Sequence, residues 1–306
     1  MFDIPFLPIE ELTPEYVIGA LSETMDWGLI AADIPEAHKH SKGAGVVVAV
    51  LDTGGPNHID LNDNLLPAIS VVGTVDDKVG HHTHVAGIIA ALENGIGVIG
   101  VAPQAKILPI KVLDDSGHSG FDTIEKGIRL AIENKVDIIN MSLGAPIEPP
   151  SSVHDAIKDA YDAGIIIIAA AGNDGGNVNW PARYDEVIAV AAMDQSGQIA
   201  NFSSRGARIA LGAPGVNIYS TFLNNQYALL NGTSQASPFV AGVCALILSW
   251  SRSDPNNPQI KNSQDMLKFL DELSDNNGGI ATVDHIGKIT YGIPNFANFM
   301  PWKSSS

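Results

Sequence analysis

The chain has 306 residues, 45% hydrophobic and 17% charged, which is enough apolar material for a large core and excludes global disorder. Its 17 Lys and Arg stand against 34 Asp and Glu, a formal charge of −17, which disfavours nucleic acid as a partner because an acidic surface repels phosphate. Cys244 is the single cysteine, so an intrachain disulfide framework and a cysteine-rich zinc site are both excluded.

In chain order, residues 1–22 read as an extension ahead of one domain at 23–306. The first sixteen residues carry Asp3, Glu10, Glu11 and Glu15, no Lys or Arg, and Pro5, Pro8 and Pro14, which is unlike a secretory leader. No apolar run approaches the roughly 18–20 residues that span a bilayer. The expectation is a cytoplasmic protein without a membrane partner. β-Branched apolar runs at 46–51, 107–112, 136–141, 165–170 and 187–192 predict strands buried on both faces of a parallel sheet. Between them, 123–134 sets Ile124, Ile128, Ala131 and Ile132 near one helix face, and 153–163 does so with Val153, Ala156, Ile157 and Ala160. A further apolar helix is expected at 239–250. The alternation predicts an α/β fold with a mostly parallel central sheet and helices on both faces. A polar loop is expected at 274–279 and a frayed tail at 302–306.

Open α/β sheets present their chemistry at the carboxyl ends of strands. The first run ends in Asp52-Thr53-Gly54. A second segment, His81-His82-Thr83-His84-Val85-Ala86-Gly87, runs into an apolar helix, and a third, Gly232-Thr233-Ser234-Gln235-Ala236-Ser237-Pro238, opens another. Singly, these are a strand-end acid, packed histidines and a helix N-cap. Together, in the order Asp, His, Ser, they hold the carboxylate, imidazole and hydroxyl of an acyl-transfer triad. An ester-cleaving α/β hydrolase would instead carry Gly-x-Ser-x-Gly ahead of its acid and base.

These segments resemble the three signatures of the subtilisin-like serine proteases: Asp-Thr-Gly, His-Gly-Thr-His-Val-Ala-Gly and Gly-Thr-Ser-Met-Ala-Ser-Pro. The likeness covers residues 23–250, with a weaker echo at Tyr291-Gly292-Ile293-Pro294-Asn295. It implies the three-layer subtilisin-like fold and an endopeptidase that cuts polypeptides through an acyl-enzyme. Ser234 would be the nucleophile, His81 the general base and then acid, and Asp52 the orienting carboxylate. Ala171-Gly172-Asn173-Asp174-Gly175 resembles the family's oxyanion segment, which makes Asn173 a donor beside the Ser234 N–H. Ser142, Leu143 and Gly144, with Ala171 and Gly172, match the segments that pair with substrate and wall its main pocket. The opposite wall falls on Ser116-Gly117 or on Ser119-Gly120. The resemblance implies broad specificity with an apolar or aromatic residue before the cut, and the segment Trp180-Pro181-Ala182-Arg183-Tyr184 is placed to reshape that pocket.

The resemblance further implies structural calcium, held by Glu23, Asp60, the Asn94 side chain and the carbonyls of Leu92, Ile96 and Val98, an all-oxygen set. Asp3-Ile4-Pro5-Phe6 resembles the Leu-Ile-Pro-Tyr extension of intracellular subtilisins, which lies across the active site and is removed on activation. A proline there resists cleavage because it lacks an N–H for strand pairing. The plain alternative is a flexible tail. Intracellular relatives also dimerise, which makes a homodimer a candidate state without separate support from the residues. Three positions depart from the pattern or stand outside it. His82 replaces the family Gly, either altering the helix start or a subsite, or pointing harmlessly to solvent; it motivates an alternative, a catalytically impaired peptide-binding protein. Gln235 replaces Met and faces either substrate or core. Cys244, in an apolar helix, reads as an inert core thiol.

Overall fold

The computed structural model describes residues 4–7, 14, 16–19, 22–275, 282–283 and 289–290. The elements in chain order are β1 (Ile4–Pro5), β2 (Tyr16–Ile18), α1 (Trp27–Ala31), α2 (Ile34–Ala37), β3 (Val47–Asp52), β4 (Ile69–Ser70), α3 (His81–Ala90), β5 (Lys106–Lys111) and β6 (His118–Ser119). There follow α4 (Phe121–Glu133), β7 (Ile138–Met141), α5 (Ser151–Asp162), β8 (Ile166–Ala170), β9 (Val187–Met193), β10 (Leu211–Pro214), β11 (Ile218–Phe222) and β12 (Gln226–Leu230). The last are α6 (Thr233–Ser253), α7 (Ser263–Asp275), β13 (Thr282–Val283) and β14 (Ile289–Thr290).

Seven strands form the central sheet in the order β10-β9-β8-β7-β3-β5-β4, every pairing parallel. The continuous apolar runs are what a sheet covered on both faces requires. Alternate residues serve opposite cores: Val48 and Val50 of β3 pack with α3 and α6, and Ala49 and Leu51 pack with α4 and α5. The result is the expected three-layer α/β architecture. From β3 the chain builds β4 and β5 to one side and then β7, β8 and β9 to the other. The crevice at the carboxyl ends of β3 and β7 is therefore a topological switch point, where such sheets place their sites.

Strand and helix boundaries fall within a few residues of expectation. One reading needs correction. The 21-residue α6 is long and apolar enough to cross a bilayer by length and composition, yet it runs through the protein interior with 94% of its most apolar stretch buried. It begins at Thr233, six residues before the predicted start, so Ser234 lies in its first turn. α7 extends through Ser274 and Asp275, where a loop was expected; the rest of that loop, the 291–295 echo and the 302–306 tail lie outside the described residues.

The β11–β12 hairpin was not anticipated. Asn224 and Asn225 turn it with left-handed φ of 60° and 55°, a conformation Asn tolerates. His84 fastens this hairpin to α3: its Nε2–H donates to the carbonyls of Ile218 and Ala228 at 3.0 and 3.1 Å. Burial pushes the His84 pKa down from 6.5 to about 3. Asp26 accepts the N–H groups of Gly28 and Tyr219, but burial outweighs them and raises its pKa from 3.8 to about 6. The two act in opposite senses. His84 binds its proton in the unfolded chain first, so its contribution to stability is lost as pH falls below 6.5. Asp26 binds its proton in the folded chain first, so its contribution is present below 3.8 and lost as pH rises through 6. Between about pH 4 and 6 they offset each other. Asp26→Asn removes that offset, and urea unfolding at pH 4, 5 and 6 is expected to lose about 1.4 kcal/mol per pH unit more steeply than the parent chain on acidification. Parallel slopes would refute the assignment.

Candidate active site

β3 delivers Asp52 at its last position, and α3 begins with His81. The His81 Nδ1–H donates to Asp52 Oδ1 at 2.7 Å, and both side chains are fully buried. Thr53 N–H donates to the same oxygen at 2.7 Å. Burial alone would push the Asp52 carboxyl up; the charge and hydrogen bond of His81, helped by the Thr53 N–H, outweigh it and hold the group below the ordinary carboxylate value. Asp52 is therefore an anion that fixes the imidazole through Nδ1.

Asp77 was missed in the sequence and organises this corner. Its Oδ1 accepts from Thr53 Oγ1, Val79 N and Gly80 N at 2.9–3.0 Å, and its Oδ2 accepts from Thr83 N and Oγ1 at 2.8 and 2.7 Å. Thr53 Oγ1 in turn accepts the His82 N–H at 3.1 Å. One carboxylate thus caps the helix that carries His81 and grips the residue after Asp52. An acid just ahead of a helix start is the signal that would have found it.

Ser234 sits in the first turn of α6 over the end of β7. Pro238, four residues on, has no N–H, so the Ser234 carbonyl lacks its intrahelical donor. Ser142 Oγ supplies one at 2.9 Å, itself held by Asn140 Nδ2 and Ser237 Oγ at 3.0 Å. Ser234 Oγ lies 3.1 Å from the Ser142 carbonyl. Asn173 follows β8. Its Oδ1 accepts from Thr233 N and Oγ1 at 2.8 and 3.0 Å, which fixes the amide orientation and turns Nδ2 the other way.

A cavity of about 250 Å³ is lined by Leu143, Gly144, Ala170, Gly172, Asn173, Asp174, Asn179, Thr233 and Ser234, among others. The expected Leu143, Gly144, Gly172 and Asn173 are there. Ser142 lies beneath Ser234 as a brace, and Ala171 is turned into the core, its place at the wall taken by Ala170. Trp180 does not line the cavity; Asn179, just before it, does. On the other side lies β6, with Gly117 buried just ahead of it. Ser116 lies in the preceding turn, with its N–H bonded to Asp114 Oδ1.

The extension enters this cleft. β1 pairs antiparallel with β6, Ile4 opposite Ser119 and Pro5 opposite His118. The N–H groups of Phe6 and Leu7 point to the Gly117 carbonyl at 3.2 and 3.3 Å, and Gly144 N–H donates to the Phe6 carbonyl at 3.1 Å. Ile4, Phe6 and Leu7 are buried, and the Phe6 ring meets Phe121 edge-on at 5.7 Å. Farther on, β2 joins the edge of the β11–β12 hairpin.

His82 is fully buried, which removes the solvent-facing reading, and it does not line the cavity, so it obstructs nothing there. Burial pushes its pKa down, leaving a neutral ring whose nitrogens have no hydrogen-bond partner among the described residues. Gln235 is likewise buried and faces core. Cys244 is buried, and burial pushes its thiol pKa up, which keeps it unreactive.

Of the residues expected to hold calcium, Glu23, Asp60 and Asn94 are tied together through hydrogen bonds, and Asn94 Oδ1 accepts the Ile96 N–H at 3.0 Å. Glu23 Oε1 accepts the N–H groups of Asn94 and Gly95 at 2.8 and 2.9 Å. Asp60 accepts from Asn94 Nδ2 at 2.9 Å, Val98 N at 3.1 Å and Tyr227 Oη at 3.2 Å. Residues 22 and 24 bridge to 96 and 98, so the loop of Leu92, Ile96 and Val98 closes on Glu23. The side chains offer only oxygen and amide donors. Burial first, with Glu23 adding repulsion, raises the Asp60 pKa, as a carboxylate pair short of positive charge would show. This chemistry fits a hard divalent cation.

The subtilase family model matches residues 43–267, which hold all three segments of the site. The chain belongs to the subtilase family. It is accordingly a serine endopeptidase. Among its relatives are the thermostable alkaline protease of Halalkalibacterium halodurans, 44% identical over 88% of this chain and 74% of that protein, and subtilisin Savinase of Lederbergia lenta, 43% identical over 79% and 90%. The M-protease of Shouchella clausii is 43% identical over 80% of this chain, which spans 65% of that protein's length.

Proposed function

We propose that this subtilase hydrolyses peptide bonds through Ser234, His81 and Asp52. The observation that carries the reading is the buried 2.7 Å bond from His81 to Asp52 beside a cavity lined by Ser234 and Asn173. Ser234 Oγ attacks the scissile carbonyl carbon as His81 Nε2 takes its proton. The oxyanion receives hydrogen bonds from Asn173 Nδ2 and the Ser234 N–H at the start of α6. His81 returns the proton to the leaving amine, and water then cleaves the acyl-enzyme by the same steps. Substrate lies extended between Gly117 and Gly144, where main-chain bonds give affinity and pockets give selectivity.

The extension acts, in this reading, as an inhibitor through residues 4–7. The antiparallel pairing of β1 with β6, and the bond from Gly144 to Phe6, occupy the groups a substrate backbone would use. A tethered strand competes at millimolar effective concentration. The intact mass after a fluorophosphonate probe tests both statements. One adduct is expected on the chain trimmed of residues 1–20, slower labelling on the full chain, and none on Ser234→Ala. An unlabelled trimmed chain would refute the triad, and equal rates would refute the inhibitory strand.

Calcium is the proposed structural ion, held by Glu23, Asp60, Asn94 and the carbonyls of Leu92, Ile96 and Val98. Bound there, it supplies positive charge that ties the 92–98 loop to residue 23. At a hundredfold excess over its Kd it adds about 2.7 kcal/mol. A chelator is therefore expected to lower Tm by roughly 5 °C or more, restored by calcium; an unmoved Tm would remove the site.

A further inference from the structure

Lys111 is a cation sealed inside the protein beside the triad. It ends β5 in register with Asp52, the last residue of β3, and only 1% of its side chain is exposed. Its ammonium donates to the Thr53 carbonyl and, at 2.9 Å, to Asp115 Oδ1, its one carboxylate partner among the described residues. A desolvated ammonium is unfavourable unless its charge is matched, so the place of Asp115 is dictated from within. The Lys111 hydrogen bond first, with Lys78 adding to it, holds the Asp115 carboxyl below the ordinary carboxylate value. The outer partner is minor: Lys78 lies 3.4 Å from Asp115 Oδ2, and both of these side chains are about half exposed.

Asp115 stands at the tip of the loop that forms one rim of the cleft. The Val112 and Leu113 N–H groups donate to the Asp52 carbonyl at 3.0 and 3.2 Å, so this loop starts on the triad acid itself. Asp114 N–H donates to the His118 carbonyl at 2.9 Å, and the chain returns through Gly117 into β6. Gly117 offers its carbonyl to the Phe6 and Leu7 N–H groups, and β6 pairs with β1. Backbone that pairs here is therefore received by a loop whose tip is tied to buried charge through Asp115. Neutralising Asp115 leaves the ammonium without its anion and loosens that tie.

We propose that Lys111 and Asp115 are positioning residues that hold the rim loop in place for strand pairing, and so set how much the residues upstream of the cut contribute to cleavage. This rests on the peptidase reading above, with substrate extended between Gly117 and Gly144. Strand addition draws affinity from main-chain bonds, and a receiving strand fixed beforehand keeps the cost of ordering low.

The test uses whichever form of the chain the fluorophosphonate labels, with succinyl-Ala-Ala-Pro-Phe-p-nitroanilide and acetyl-Phe-p-nitroanilide. The two share a leaving group and the residue before the cut, so the ratio of their kcat/KM values reports the upstream residues. Asp115→Asn is expected to shrink this ratio about tenfold, the worth of a charge-assisted hydrogen bond, with the short substrate and the labelling rate within about twofold of the parent. Asp115→Glu keeps the charge and is expected to recover most of the ratio. Lys111→Met is expected to shrink it as Asp115→Asn does, and the double variant to go no lower, because the two act as one pair. Asp115 is half exposed, so its variants decide alone should Lys111→Met fail to fold. An unchanged ratio in Asp115→Asn, or equal losses on both substrates, overturns the proposal, as does a lower Tm with the parent ratio. An equal loss from Lys78→Ala moves the role to the outer pair and overturns the part of Lys111. Labelling with the wrong ratios defeats only this proposal, whereas absence of labelling in every form, the parent included, defeats the peptidase reading with it.

Discussion

Asp52→Asn is expected to lower kcat by about 10⁴ with little change in KM, the size of loss that follows when the base is held in the wrong tautomer. The argument is local. Asp52 Oδ1 accepts from both Thr53 N–H and His81 Nδ1–H. An asparagine keeps the shape but offers one accepting oxygen and one donating nitrogen. Since one oxygen takes both bonds, an Asn that keeps its oxygen there leaves the imidazolium without its anion, and one that turns its NH2 to the ring makes Nδ1 an acceptor. The ring hydrogen then sits on Nε2, which can no longer take the serine proton. Steady-state kinetics on a peptide nitroanilide decide it, and a loss under tenfold would show that Asp52 does not set the tautomer.

Asn173→Leu is the second large effect. Leucine keeps the volume and removes the donor aimed at the developing oxyanion. The expected loss in kcat is about 10²–10³, the figure known for subtilisin itself at its matching amide. KM is expected to stay within a few-fold, because the bond strengthens only as charge develops. Thr233 also loses its acceptor, since Asn173 Oδ1 takes both its N–H and its hydroxyl. Stability should therefore fall by about 1 kcal/mol alongside the kinetics. A kcat within threefold of the parent would remove Asn173 from the oxyanion site.

The parts legible in the sequence were those in which one physical demand dominates. Val48–Leu51 and Ile166–Ala169 must be apolar on both faces because helices cover both, so composition alone announces a parallel strand. Asp52, His81 and Ser234 were legible because three signatures fell in a known order, each at the end of such a strand or the start of a helix. The missed parts depend on pairs of distant residues. Asp77 is an ordinary loop acid until Thr53 and Thr83 are brought to it. Ser142 was read as a substrate contact, and the missing N–H of Pro238 explains the further part its hydroxyl plays in bonding the Ser234 carbonyl. Asn179 was not singled out in the sequence; its setting depends on two distant glycines that make room for it. β1 contains a proline, a residue normally kept from ladders, and it forms because β6 offers it an edge.

The order in which the ribosome releases the chain gives the β1 contacts a further meaning. Ile4 to Leu7 are made before their partners, and Gly117, β6 and Gly144 are made before Ser234. Domains fold as units, and α6 fills one face of the central sheet, so the cleft is complete only once Ser234 is in place. Under the inhibitory reading, the covering strand is by then already present on the same chain, and a newly finished triad is met first by residues 4–7.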